Sequence, residues 1–433
     1  MAPSSASPAD RRSLPAAAQG RAQIIAVPLK EFAEWGGGID FIRLILEGLL
    51  RDPRLRIVAL IPRPPLIKRV RRLGDAVLAS LKGLVRGRAV WNPRPFADPD
   101  AIQAAIQDFV PRIEIRFYSD HRRVLNTVIQ DLGADAIIPC IRPMPSYCRT
   151  PWVGYIFDFQ HRHLPHLFTE AERHGRDLSI GRMLEAASVV ICNSESALED
   201  VERFHPGSAG KIVALPWTSV PRAHWFELDA AQARERYHLP ERYFLVSNQF
   251  WVHKDHPTAI RAFAAYLARG GNPGAALVCT GKIHDYRNPA HGDTIRSLIS
   301  VLGLDGRVHL LGHIPKDDQI ALLRGAVAVV QPTWFEGGRG GGAVLDAVGL
   351  GIPVLMSDIP VNLEIEADGC RFFKKGDPDA LAALMLEQDA AEPVRLGKEE
   401  LLRRSEAEAM NLSRTLADVI RVAQERATAA PDY

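Results

Sequence analysis

Cysteine is scarce and scattered: the 433 residues hold five (Cys140, Cys148, Cys192, Cys279, Cys370) and no C-x-x-C pair. That pattern excludes a disulfide framework and a thiolate zinc site, and it fits a reducing cytoplasm. Net charge is equally slight. Lys and Arg outnumber Asp and Glu by only 53 to 51, so no overall field exists to hold a nucleic-acid backbone, and no nucleic-acid partner is expected. No stretch reaches the ~18 apolar residues that a membrane span needs. Residues 1–20 are rich in Ala, Ser and Pro and lack an apolar leader core, so they are expected to form a disordered tail. These absences leave a soluble or peripheral protein.

What is present is the composition of a globular α/β chain, with 47% hydrophobic and 24% charged residues. At the usual ~100–200 residues per domain the length implies two domains. Short apolar runs recur as buried-strand candidates: 24–29, 56–61, 113–118, 135–139, 152–157, 188–192 and 211–215. Segments of helical spacing separate them, such as Ile42, Ile45, Leu46 and Leu49. After a proline-punctuated loop the alternation restarts with runs at 242–247, 275–280, 307–311, 326–331 and 352–356. This order predicts two Rossmann-like, doubly wound parallel sheets facing across a cleft. The expected domains are 21–220 and 221–433, the latter closed by a C-terminal helix near 398–426. Ligands of such sheets sit beyond the carboxyl ends of the strands, so the loops there are the place to search.

The loop after the first strand holds Gly36, Gly37 and Gly38 ahead of a helical run, which suits either an anion at the helix N-terminus or a plain flexible turn. The loop after 152–157 carries Asp158, His161, His163 and His166. A zinc site there would need convergent imidazoles. Exposed loop histidines are the bland reading, and a catalytic or hydrogen-bonding pair, Asp158 with His161, is the preferred one. The densest constellation is Q-P-T-W-F-E-G-G-R-G-G-G-A-V-L-D, residues 331–346. Its Gly337, Gly338, Gly340 and Gly341 can surround phosphate or sugar oxygens with backbone N–H groups, alongside Arg339. Glu336 and Asp346 can accept hydroxyl hydrogen bonds. Gln249, Lys254, Lys282 and Arg287 lie in the two strand-end loops before it; the cations are positioned to neutralise phosphate.

Other tempting patterns have structural readings. The tripeptides Asp98-Pro99-Asp100 and Asp377-Pro378-Asp379 resemble a metal-binding D-x-D but precede helical runs, so each reads as a helix cap; no metal is expected. Ser196 and Glu199 read as a capping box. Residues 63–94 hold nine Lys or Arg against the single acid Asp75, with Val70, Leu73, Val77, Leu81 and Leu84 at helical spacing. That stretch suits a helix lying on anionic lipid or one packed on the core with a solvated basic face.

Taken together, these residues resemble the retaining GT-B glycosyltransferases of family 4 (glycosyltransferase group 1). The similarity is clearest over 242–376, and looser through GGGID, DFQH and SVVICNSESAL. The resemblance implies a metal-independent hexosyltransferase without a cofactor. It would move a hexose such as mannose from a nucleoside diphosphate sugar to a saccharide or lipid-linked saccharide, with retention, as in polysaccharide biosynthesis. It places Glu336 at the donor sugar, Asp346 at the ribose, Lys254 at the diphosphate, Gly37 and Gly38 at the phosphate from the opposite domain, and His161 near the transferred sugar. Two departures stand out: nine residues separate Glu336 from the shortened acid Asp346, and the family's arginine ahead of the phosphate lysine falls on the neutral Gln249. Lys282, Arg287 or Arg339 would then have to compensate. A nucleotide-sugar epimerase shares the architecture, and the two departures also suit a non-catalytic nucleotide-sugar scaffold. The expected location is the cytoplasm, with peripheral contact at the inner membrane face if 63–94 binds lipid.

Overall fold

The computed structural model describes residues 21–33, 37–63, 99–216, 218–392 and 396–429. The basic stretch from 64 onward, together with Gly36 and Asp98, lies outside them, so the membrane-binding expectation falls there too.

The apolar runs form strands where expected. In the first lobe these are β1 (Gln23–Pro28), β2 (Leu55–Arg63), β3 (Glu114–Ser119), β4 (Ala136–Cys140), β5 (Trp152–Tyr155), β6 (Val189–Cys192) and β7 (Ile212–Ala214). In the second they are β8 (Tyr243–Ser247), β9 (Ala276–Thr280), β10 (Val308–Gly312), β11 (Ala328–Gln331), β12 (Val354–Ser357) and β13 (Cys370–Phe373). All neighbouring strands run parallel, in the orders β3-β2-β1-β4-β5-β6-β7 and β10-β9-β8-β11-β12-β13. Strands covered on both faces need no polar alternation, which is why β1 reads I-I-A-V-P and is buried from Ile24 to its end. The edge strand β13 was not expected. Its sequence C-R-F-F is short and only Phe373 is buried, so it lacks an apolar run.

Each order reverses at one place, between β1 and β4 and between β8 and β11. These reversals open crevices at the strand carboxyl ends, and the loops that leave β1, β8 and β11 carry Gly37, Lys254 and Glu336.

The helix Lys398–Ala429 corrects one expectation. Assigned by sequence to the second domain, it packs on the first. Leu412, Leu416, Val419, Ile420 and Ala423 join the core built from β1, β2 and the helix Gly38–Leu49. Gly48 makes the approach close, since a Cβ there would lie 2.7 Å from Leu416 Cδ1. The chain therefore crosses back, and both crossings tie the lobes together.

Caps follow local chemistry. Asp377 accepts from the backbone N–H of Asp379 and Ala380 at 3.0 and 2.9 Å, with Pro378 in the first turn. The box expected at Ser196 is displaced by two residues: Ser194 caps the helix Glu195–Phe204 through the N–H of Ala197 at 3.1 Å. Ser196 instead donates to Glu364 of the other lobe at 2.6 Å.

Candidate functional site: a cleft between the lobes

The strand-end loops of both lobes enclose a cleft of about 1280 Å³. From the first lobe it is lined by Gly37, Asp158, Gln160, Phe168 and Arg176. From the second come Gln249, Lys254, Lys282, Arg287, Glu336, Gly337, Gly338, Arg339 and Gly341. The glycine loop faces the opposite lobe directly. A Cβ on Gly337 would stand 2.8 Å from the Phe157 carbonyl oxygen and 2.9 Å from Asp158 Cβ, so any side chain there would wedge the lobes apart. Ser194 Oγ donates to the Gly337 carbonyl at 3.4 Å.

Glu336 is held at the cleft floor by two donors, one cationic and one neutral. Lys254 Nζ donates to Oε1 at 2.5 Å and Gln331 Nε2 donates to the same oxygen at 2.8 Å. Gln331 Nε2 also reaches the Gly340 carbonyl at 2.8 Å, and its Oε1 accepts from Asn248 Nδ2. Burial pushes the Glu336 carboxyl above its ordinary range, opposed by the Lys254 charge. The loop after β8 is fixed for this contact. Trp334 N–H donates to the His253 carbonyl at 2.8 Å, and the indole N–H to Asp255 Oδ2 at 2.7 Å. Asp255 itself turns the chain at φ +48 and caps the helix His256–Ala268.

Gly340 and Gly341 adopt φ of +61 and +78, a region that L side chains rarely occupy. This bend presents Gly341, Gly342 and Ala343, the start of the helix Gly342–Gly349, to the cleft. Neither that helix nor Gly38–Leu49 has a side-chain cap, and first-turn residues of both line the cleft: Gly342 and Ala343 of one, Ile39 and Asp40 of the other.

Four expected residues are turned elsewhere. His161 is fully buried: its Nε2 lies 2.8 Å from Asp177 and its Nδ1 accepts from Arg176 Nε at 3.2 Å. Burial lowers its pKa despite Asp177. The ring thus braces Arg176, whose Nη2 reaches Asp158 Oδ1 at 2.5 Å. Gly38 meets its own chain, for a Cβ there would stand 2.0 Å from the Phe32 carbonyl oxygen. Asp346 lies behind Lys316, which pairs with it at 2.6 Å, stands 3.7 Å from Asp40 of the first lobe and lines the cleft. Burial raises the Asp346 carboxyl against the pull of that lysine. Gly340 is covered by Val344, which a Cβ would approach to 2.4 Å.

The histidines of the 158–166 loop do not converge, since His163 bonds Asp200 at 2.7 Å. Among the described residues no three His, Cys, Asp or Glu side chains are grouped to hold a metal ion, and no helix is long and apolar enough to cross a membrane. Sequence reasoning missed Lys316, although its place just after β10 follows the strand-end rule. It also missed Arg176, which sits inside a helix with no local signal.

Two facing Rossmann-like lobes with this crevice form the GT-B architecture of solved glycosyltransferases. Residues 230–398, which contain every strand of the second sheet, match the family model "Glycosyl transferases group 1". Curated protein sequences give no match. Among solved structures, the chain is similar to Anabaena HepE in complex with UDP and glucose, at 14% identity and a TM-score of 0.56, covering 94% of this chain and 99% of that one. It is similar also to the sucrose-phosphate synthase of Thermosynechococcus elongatus, at 17% identity and 0.55, covering 94% of each. WaaG, a glycosyltransferase of lipopolysaccharide biosynthesis, aligns at 14% identity and 0.53 over 94% of this chain and 99% of that one.

Proposed function

We propose that the protein is a glycosyltransferase that moves a hexose, mannose being one candidate, from a nucleoside diphosphate sugar to a saccharide or lipid-linked saccharide, with retention and without a metal. The observation that carries this reading is the cleft-floor pair Lys254–Glu336 beside the glycine loop, facing the first lobe across the crevice. The group 1 family match over this same lobe and the UDP-sugar complex of the HepE neighbour support it.

In this reading the donor's diphosphate meets Lys254 and the first-turn amides of the helix Gly342–Gly349, which stabilise the charge that builds on the leaving group. Glu336 accepts from the sugar hydroxyls. Asp158 and Glu336 are ion-paired with Arg176 and Lys254, which suits departure assisted by cations more than attack by a protein carboxylate. At the ribose end Lys316, held from behind by Asp346, faces the nucleotide.

The test is incubation with UDP-, GDP- and ADP-hexoses, with and without oligosaccharide or polyprenyl-linked acceptors, in buffer containing chelator. Release of nucleoside diphosphate and an α-linked product from an α-linked donor are expected. Neither binding nor hydrolysis of any donor would end this reading. Epimerised donor without acceptor would favour an isomerase. Gln249, which carries no charge where the group's arginine is expected, gives the binding-scaffold reading its support; donor binding with no turnover on any acceptor would select it.

A further inference from the structure

The cation that Gln249 fails to supply has one well-placed substitute. This inference rests on the nucleotide-sugar reading above. Of the three candidates, Arg339 is engaged by Glu364 at 3.2 Å and Lys282 is exposed at the cleft rim. Arg287 is different: its side chain is 11% exposed and lines the cleft between the lobes.

Its position is built by the loop around Gln249. The Gln249 Oε1 accepts from the backbone N–H of Lys282 at 3.1 Å, and Phe250 N–H donates to the Lys282 carbonyl at 3.2 Å. Asp285, 2% exposed, then accepts from the N–H of Val252 at 3.0 Å and from the N–H of Arg287 at 2.9 Å. The side chain of Gln249 thus fastens the segment that delivers the arginine. The guanidinium lies 5.3 Å over Phe168 of the first lobe and 5.4 Å over Trp251 of the second.

Among the described residues the acid within ion-pair distance is Asp285, 3.5 Å from Nε, while Glu172 acts on the guanidinium from farther off. Nη1 meets Gln160 Oε1 at 3.2 Å and Nη2 meets His253 Nδ1 at 3.4 Å, both neutral acceptors. Burial, then Lys254 and Arg287, push the His253 pKa down to about 2, which keeps that ring uncharged between two cations. Long bonds to neutral groups are readily exchanged for the charge-assisted, bidentate bonds that phosphate oxygens offer a guanidinium.

We propose that Arg287 binds the donor's diphosphate together with the neighbouring Lys254, replacing the charge absent at Gln249. Calorimetry of the full chain with UDP, GDP, UMP, GMP, uridine and guanosine tests it. For the base that wild type prefers, Arg287→Gln is expected to weaken the diphosphate about 10- to 100-fold, the range of one or two charge-assisted bonds, and the free nucleoside less than about threefold. The double variant Gln249→Arg/Arg287→Gln is expected to recover at least about tenfold of that loss.

Diphosphate affinity unchanged in Arg287→Gln, or a nucleoside affinity that falls equally, would overturn the proposal, the second by showing a purely structural strut. Intact diphosphate binding with weakened inhibition by inorganic phosphate would also overturn it, assigning the arginine to an acidic acceptor. If Arg287→Gln does not fold, Arg287→Lys replaces it, and diphosphate affinity equal to wild type in that variant would count against bidentate binding. Wild-type protein that binds neither UDP nor GDP would defeat the nucleotide-sugar reading itself, whereas binding that ignores Arg287 defeats only this inference.

Discussion

Lys254 and Glu336, 82 residues apart, meet at 2.5 Å at the floor of the cleft, with their side chains 11% and 9% exposed. A buried pair of this kind is costly to break, because the survivor is left as an uncompensated charge. Lys254→Ala is therefore expected to lose at least about a hundredfold in kcat/KM, about 2.7 kcal/mol, and also to destabilise the fold by up to about 3 kcal/mol. Urea unfolding checks the second part. The double variant Lys254→Met/Glu336→Gln should regain most of the stability and none of the activity; activity in it near wild type would remove the pair from the site.

Glu364 of the second lobe accepts from the N–H groups of Glu195 and Ser196 at 3.1 and 2.8 Å, at the first turn of a helix in the first lobe. A carboxylate there satisfies orphan donors and the helix dipole. Glu364→Ala is expected to loosen the closed arrangement by about 1 kcal/mol, the usual worth of a cap. Hydrogen exchange at residues 195–198 should quicken about fivefold, and unchanged exchange would show that the contact does not hold the lobes together.

Leu416 brings the C-terminal helix onto Gly48 in the first lobe's core, with no exposed side-chain surface. Leu416→Ala is expected to cost about 2–5 kcal/mol. The loss should speed hydrogen exchange in β4 and β5, which this helix crosses. Faster exchange confined to the second lobe would contradict the crossing.

His253 and His256 are buried and neutral, with pKa values near 2 and 3, chiefly from desolvation. Both lie below the ordinary histidine value, so the unfolded chain takes up protons first as pH falls. Their contribution is fully present above about pH 6.5 and is lost progressively below it, toward the folded pKa values, by at most about 1.4 kcal/mol per pH unit for each group. Neither ring nitrogen of His256 has a hydrogen-bond partner among the described residues, so His256→Leu should flatten the slope of urea midpoint against pH between about 7.5 and 5. An unaltered slope would place the acid sensitivity elsewhere.

Most strands could be read from the chain because continuous apolar runs mark parallel strands buried on both faces, and their alternation with helical spacing implies the doubly wound sheets. The edge strand β13 had no such run. The cleft-lining roles of Lys254, Glu336 and Gly337 follow from their places just beyond strand ends. Whether a strand-end side chain faces the ligand space is a different matter. His161 and Asp346 both occupy the expected loops or helix, yet Asp177 and Lys316 draw them away from the cleft surface.

By itself the sequence determined the two sheets, the glycine loop and the choice of strand-end loops, since these depend on local patterns of apolar, glycine and capping residues. The tertiary structure alone decided which charges pair across 82 residues, which lobe receives the last helix, and that Arg287 rests between aromatic rings of both lobes. Those outcomes depend on distances between segments remote in the chain, and no local spacing encodes them.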